Sequence, residues 1–192
     1  MKKSFTKEYI LENRGCYSTD QVLALPFSKS DKITINALFK VLPIKDFSWF
    51  LVRKCKLTLA EKRLFALHGA KQVLPIFENK YPNDSRVRDC IEATERFLND
   101  NETLENLKVF RDAAYAAYDD YAAVYAAYAG ADDDAYAASY AAAAAYAAAA
   151  YADATSTDAY VANSYAAGVA DDAAYDAAAA YKLSILNFVK SL

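Results

Sequence analysis

From Ala135 to Ala152 the chain contains only Ala, Tyr and one Ser, 18 residues without a Gly, a Pro or a charge. Alanine is the best helix former because it gives up no side-chain entropy in a helix. The run therefore predicts a helix, and the small side chains predict close packing, near the low end of the usual ~8–10 Å between helix axes. Its length touches the lower limit for a membrane span. Alanine is barely apolar, however, four tyrosines sit inside the run, and no Lys or Arg anchors either end. A tightly packed soluble helix is the expectation, with no membrane span.

The surrounding tail follows the same chemistry. Breaks at Ala129-Gly130-Ala131-Asp132 and Ala154-Thr155-Ser156-Thr157-Asp158 divide it into predicted helices near 103–129, 132–152 and 158–191, with Gly168 a softer point in the last. In the first, Leu107, Ala114, Tyr118, Tyr121, Tyr125 and Tyr128 recur at three- and four-residue steps, which makes a packing seam. Tyrosine supplies the area that Ala lacks, while its hydroxyl reaches towards water. The closing Leu183, Ile185, Leu186, Phe188, Val189 and Leu192 are expected to pack back on the N-terminal half.

The first half reads as shorter helices between clear stops. One is predicted over Phe5 to Asn13, ended near Gly15 in the left-handed region. Ser18 or Thr19 caps a short turn that runs to Leu25. Ser30 or Asp31 opens a helix carrying Ile33, Ile35, Leu38 and Leu42, and Pro43 stops it. Asp46 starts the next, through Trp49, Phe50 and Leu51. Thr58 and Glu61 form a capping box, followed by a buried stripe of Leu64, Leu67, Ala70, Leu74 and Phe77, with Pro75 expected to kink or end the helix. Ser85 caps a helix that buries Val87, Ile91, Thr94 and Leu98. The fold class is all-α: a multi-helix bundle with an Ala/Tyr-rich C-terminal helical hairpin region. Three regions, 1–57, 58–111 and 112–192, are expected to form one compact unit.

Charge divides the chain more sharply than hydropathy. Residues 1–111 hold 20 Lys and Arg against 14 Asp and Glu; residues 112–181 hold 11 Asp and no cation. The net charge of −3 therefore conceals a dipolar molecule.

Catalytic and metal-binding signals are weak. His68 is the single histidine and has no obvious Ser or Cys partner in sequence. Cys16, Cys55 and Cys90 are far apart, form no CxxC and read as reduced thiols. The pairs Asp119-Asp120 and Asp171-Asp172 and the triple Asp132-Asp133-Asp134 lack the alternating ligands and closing Glu of a calcium loop. Adjacent helical residues point about 100° apart, so they do not converge on a metal. The triple suits the positive end of a helix dipole instead. No phosphate-binding glycine loop, nucleophile elbow or zinc-protease pattern occurs. No enzyme, cofactor or metal is expected. A basic start at Lys2 and Lys3 is followed by Lys7, Glu8, Glu12 and Arg14 in place of an apolar run, which predicts no secretory signal and a cytoplasmic protein.

The tail's surface is the stronger signal. Thirteen of sixteen tyrosines lie there among aspartates. Tyrosine is enriched in interface hot spots, and a face of one sign steers an oppositely charged partner and can imitate nucleic-acid phosphates. Candidate partner-binding residues are Asp112, Tyr115, Asp119, Asp120, Asp132, Asp133, Asp134, Tyr136, Asp153, Asp158, Asp171, Asp172 and Asp176. The expected partner is a basic protein such as a toxin, a nuclease or a defence complex; direct nucleic-acid binding would need Lys or Arg on this face. An alternative is a sponge for a small signalling nucleotide, with tyrosines stacking the base and Arg53, Lys54, Lys56, Arg86 or Arg88 holding phosphates. Self-association through Ala seams is a third reading.

The segment Lys62–Leu98 carries a resemblance. Val73 to Phe77, Tyr81-Pro82, Asp84, Arg86, Arg88, Ile91-Glu92-Ala93 and Leu98, followed by an Ala-rich tail, resemble a family of all-helical immunity proteins from bacterial polymorphic toxin systems. The first 55 residues, with Trp49, are similar to the leading region of related phage-encoded proteins. The resemblance implies an inhibitor that sequesters a toxin, or a phage protein that blocks a host defence, in a bacterial cell or the infected host's cytoplasm. It supplies no catalytic residues, and it implies that Arg86, Arg88 and the Phe97 position organise the fold.

Overall fold

The computed structural model describes residues 4–15, 17–26, 32–127, 133–152, 161–162, 164–167 and 175–192. Side chains at 123–127, 133–139, 151 and 175–179 are outside that description. The chain is an all-α helical bundle with one two-residue strand pair among the described residues. Its contacts group into two compact units, Met1–Thr58 and Leu59–Leu192.

In the first unit, β1 (Ser4–Phe5) pairs antiparallel with β2 (Ile33–Thr34), Phe5 opposite Ile33. This corrects two expectations, because Phe5 and Ile33 lie in strands and not in helices. Thr6 caps α1 (Lys7–Glu12) by accepting from the Tyr9 N–H, and Thr34 caps α3 (Ile35–Val41) by accepting from the Ala37 N–H. The β-branched threonines thus end the strands and start the helices in a single residue. Ser18 and Gln21 form a reciprocal capping box on α2 (Thr19–Leu23). Helix α4 (Ile44–Lys54) begins directly after Pro43, two residues before Asp46. Asp46 instead accepts a hydrogen bond from the Tyr17 hydroxyl. The core is aromatic: Phe5 meets Phe50 edge-on at 5.0 Å between ring centroids, and Phe39 meets Phe47 at 5.2 Å. Gly15 takes φ +63°, and a Cβ there would lie 3.0 Å from the Trp49 ring, so both conformation and space select glycine.

In the second unit, α5 (Leu59–Lys80), α6 (Arg86–Leu98), α7 (Leu104–Ala127), α8 (Asp133–Ala152) and α9 (Tyr175–Ser191) pack together. Residues 161–162 and 164–167 are also helical. Helix α5 does not end at Pro75 but continues to Lys80. A helix-interior Pro costs about 3 kcal/mol, and the burial of Val73 and Phe77 on either side holds the following turn against it.

Helix α8 contacts α5, α6 and α7. Ala141 to Ala145, Ala147 to Ala150 and Ala152 are all buried, and Tyr146 among them is half-buried. A helix that is apolar all round belongs inside a bundle. The helices it contacts bury small residues of their own: Ala66, Gly69 and Ala70 on α5, Cys90 and Ala93 on α6, Ala114 and Ala117 on α7. The Cys90 thiol donates to the Ala145 carbonyl at 3.5 Å, and burial pushes its pKa up to about 12, so this thiol is structural. Tyr140 meets Tyr165 edge-on at 5.4 Å. Helix α9 packs on α5 through Phe188, which lies 5.7 Å from Phe65, so the expected return of the last turn to the first half occurs here. Leu64, expected in the buried stripe, is exposed.

Candidate partner-binding site

Helix α7 positions the described part of the acidic surface. Thr103 caps it by accepting from the Asn106 N–H at 3.2 Å, and Leu107, Ala114 and Ala117 form its buried side. Residues three and four apart share a helix face, so burying that side turns Val109, Asp112, Tyr115, Ala116 and Asp119 outward together. Val109 is 67% exposed, the Asp112 side chain 68% and Tyr115 46%. Tyr115 is nevertheless held: its ring lies 5.2 Å from Tyr146 of α8 and 5.9 Å from Tyr118. A fixed aromatic ring between exposed carboxylates loses little entropy when a partner covers it.

Two of the aspartates have internal cations, which the charge count along the tail did not reveal. Asp112 pairs with Arg111 at 2.9 Å, and Asp120 pairs with Arg86 at 2.7 Å. Asp119 is exposed without a described ion pair.

Arg86 belongs to a tight node at the α5–α6 turn. Asp84 accepts from the Arg86 backbone N–H at 3.1 Å, from its Nε at 3.0 Å and its Nη2 at 2.7 Å, and from the Tyr121 hydroxyl at 2.8 Å. Asp84 thereby does the capping expected of Ser85, whose hydroxyl donates to Asp89. The Arg86 guanidinium holds the Asp84 carboxyl below the usual carboxylate range, and burial, then Asp84, raise the Tyr121 phenol. Phe77, Tyr81 and Tyr121 stack beside the node at 4.2–5.7 Å between centroids. Arg88 pairs with Glu78 at 2.5 Å.

Of the alternative phosphate-binding set, Arg86 and Arg88 are therefore committed to internal carboxylates. Arg53, Lys54 and Lys56 lie in the other unit, where the Lys54 ammonium sits 5.5 Å from the Trp49 ring centroid and its carbonyl accepts from Tyr9. Among the expected acidic residues, Asp132, Asp153, Asp158, Asp171 and Asp172 lie outside the described residues. Asp133 and Asp134 open α8, where a helix dipole favours them, Tyr136 follows, and Asp176 lies in α9; the side chains of all four are outside the description. Of the seam, the Tyr125 side chain and the whole of Tyr128 lie outside the description.

His68 has a partner that sequence did not reveal: Ser184 Oγ lies 3.3 Å from its Nε2, 116 residues along the chain. The Ser184 hydroxyl also donates to the Tyr181 carbonyl at 2.9 Å. The His68 ring also stacks on Phe188 at 4.8 Å, and burial lowers its pKa. The contact ties α9 to α5.

Among the described residues no three His, Cys, Asp or Glu side chains converge to hold a metal, and no helix is long and apolar enough to cross a membrane. Compared with protein-family models, curated proteins and solved structures, the chain has no match.

Proposed function

We propose that this chain is a non-catalytic inhibitor that neutralises a basic toxin, nuclease or defence component by direct contact. The observation that carries the reading is the outward face of α7, where Val109, Asp112, Tyr115 and Asp119 stand together and Tyr115 is braced by Tyr146. Carboxylates flanking a rigid ring offer a basic surface both long-range attraction and an aromatic anchor, as hot spots do. Carboxylates spaced along one helix face can take the place of successive phosphates for such a partner. The resemblance of segment 62–98 to immunity proteins, read from the sequence alone, motivates toxin neutralisation or phage evasion of host defence as the setting.

Electrostatic recognition has a direct signature. Screening shortens to about 8 Å at 0.15 M salt and about 3 Å at 1 M, so association driven by this face slows and weakens as salt rises. Surface plasmon resonance of the complex from 0.05 to 0.5 M NaCl tests it. An affinity that does not change with salt removes the acidic mimic from the account.

A further inference from the structure

A second surface lies where the start of α5 meets the end of α6. Leu59, Ala60, Arg63 and Leu64 from the first turns of α5 and Leu98 and Asn99 from the end of α6 line an open groove of about 450 Å³. That volume falls within the range of roughly 300–1,000 Å³ in which proteins hold ligands. Two features set the groove apart from ordinary surface. Leu59 is 56% exposed and Leu64 45%, so two large apolar side chains stand in water on one helix. Between them in sequence, Arg63 has its Nε out of contact with solvent and without an acceptor. The Arg63 guanidinium has no described ion pair, so its charge is left for an incoming anion to neutralise. Asn99 adds no competing carboxylate, and its own amide N–H is spent on the Glu95 carbonyl.

We infer that this groove docks a short apolar segment of a protein partner that carries an Asp or Glu, whose carboxylate accepts from Arg63 while neighbouring apolar side chains cover Leu59, Leu64 and Leu98. The guanidinium selects an anion over a neutral carbonyl, because charge-assisted bonds are about twice as strong. The exposed leucines select an apolar body around that anion. An open groove lined on one side suits a peptide, whose other face stays wet, better than a free fatty acid, whose chain needs enclosure. The specificity is opposite in sign to that of the α7 face, and neither inference depends on the other.

A random heptapeptide phage library selected on the full-length protein tests this, with Arg63→Gln and Leu64→Asp variants as counter-targets. Both positions reach solvent, and circular dichroism confirms that each variant keeps its helices. Enriched peptides should place Asp or Glu within a run of Leu, Ile or Phe, and should bind each variant at least tenfold more weakly. Enrichment without an acid, equal binding to Arg63→Gln, or no enrichment overturns the proposal. So does decanoate that displaces these peptides at equal concentration, or a dimer whose formation Leu64→Asp abolishes.

Discussion

Replacing Asp84 by Ala removes four contacts at once. It deletes the acceptor for the Arg86 backbone N–H, both arms of the fork to the Arg86 side chain, and the partner of the Tyr121 hydroxyl. The first is a helix-cap bond, worth about 1 kcal/mol. The ion pair is partly exposed, with side-chain exposures of 15% for Asp84 and 33% for Arg86, and solvent screening limits it to about 1 kcal/mol. The phenol bond adds about 1 kcal/mol. Arg86 keeps Asp120, which prevents the loss from growing further. The expected cost is about 2–3 kcal/mol, or a fall in Tm on the order of 10 °C for a unit of this size. Urea unfolding followed by circular dichroism measures it. Tyr121→Phe should cost about 1 kcal/mol, and the double variant should cost less than the two single changes combined, because both remove the same bond. The pH dependence has a definite sign. The folded-state pKa of Asp84 is depressed, so its contribution is present above the ordinary value of 3.8 and is lost as pH falls below it. The Ala variant should therefore show a shallower acid loss. A cost under about 0.5 kcal/mol, typical of ordinary surface positions, refutes the node as an organising element.

Other perturbations address other parts of the fold. Ala145→Leu forces extra carbons into a fully buried site beside Cys90 and should cost about 1–3 kcal/mol or more, whereas Ala116→Leu on the exposed face of α7 should stay within about 0.5 kcal/mol by urea unfolding. His68 is held below its ordinary pKa of 6.5 by burial, so the unfolded chain takes up its proton first and stability falls as pH drops below 6.5; His68→Phe should flatten that slope in melts between pH 7 and pH 5. Gly15→Ala must adopt φ +63° against the Trp49 ring and should destabilise the first unit by about 1–3 kcal/mol, read by the Trp49 fluorescence transition.

The sequence was most informative where one local rule dominated. Alanine content located α8 to within a residue, and the seam of α7 was visible because Leu107, Ala114, Tyr118 and Tyr121 keep helical spacing. Punctuation was less reliable. Pro75 is expected to kink or end its helix, yet α5 runs on to Lys80 with Val73 and Phe77 buried around it, and tertiary packing outweighs the local penalty. The strand at Ile33 is two residues long and exists only because Phe5 lies opposite it, a long-range pairing that no window of sequence contains. The site was half legible. Asp112, Tyr115 and Asp119 follow from spacing on one exposed face, whereas the capture of Asp120 by Arg86 and of His68 by Ser184 joins residues 34 and 116 apart. Leu64 was hidden for the opposite reason: its helical spacing predicts burial, and only the end of α6 shows what it and Arg63 line.

The central claim concerns the outward face of α7, and affinity purification of the tagged full-length protein from its native or infected cells tests it most directly. Mass spectrometry of proteins and small molecules together should find one stoichiometric basic protein with the wild type. That protein should be lost from a variant carrying Asp112→Asn, Tyr115→Ala and Asp119→Asn that keeps its helical circular dichroism. The same partner retained by the triple variant, or a bound nucleotide with no protein, contradicts the account.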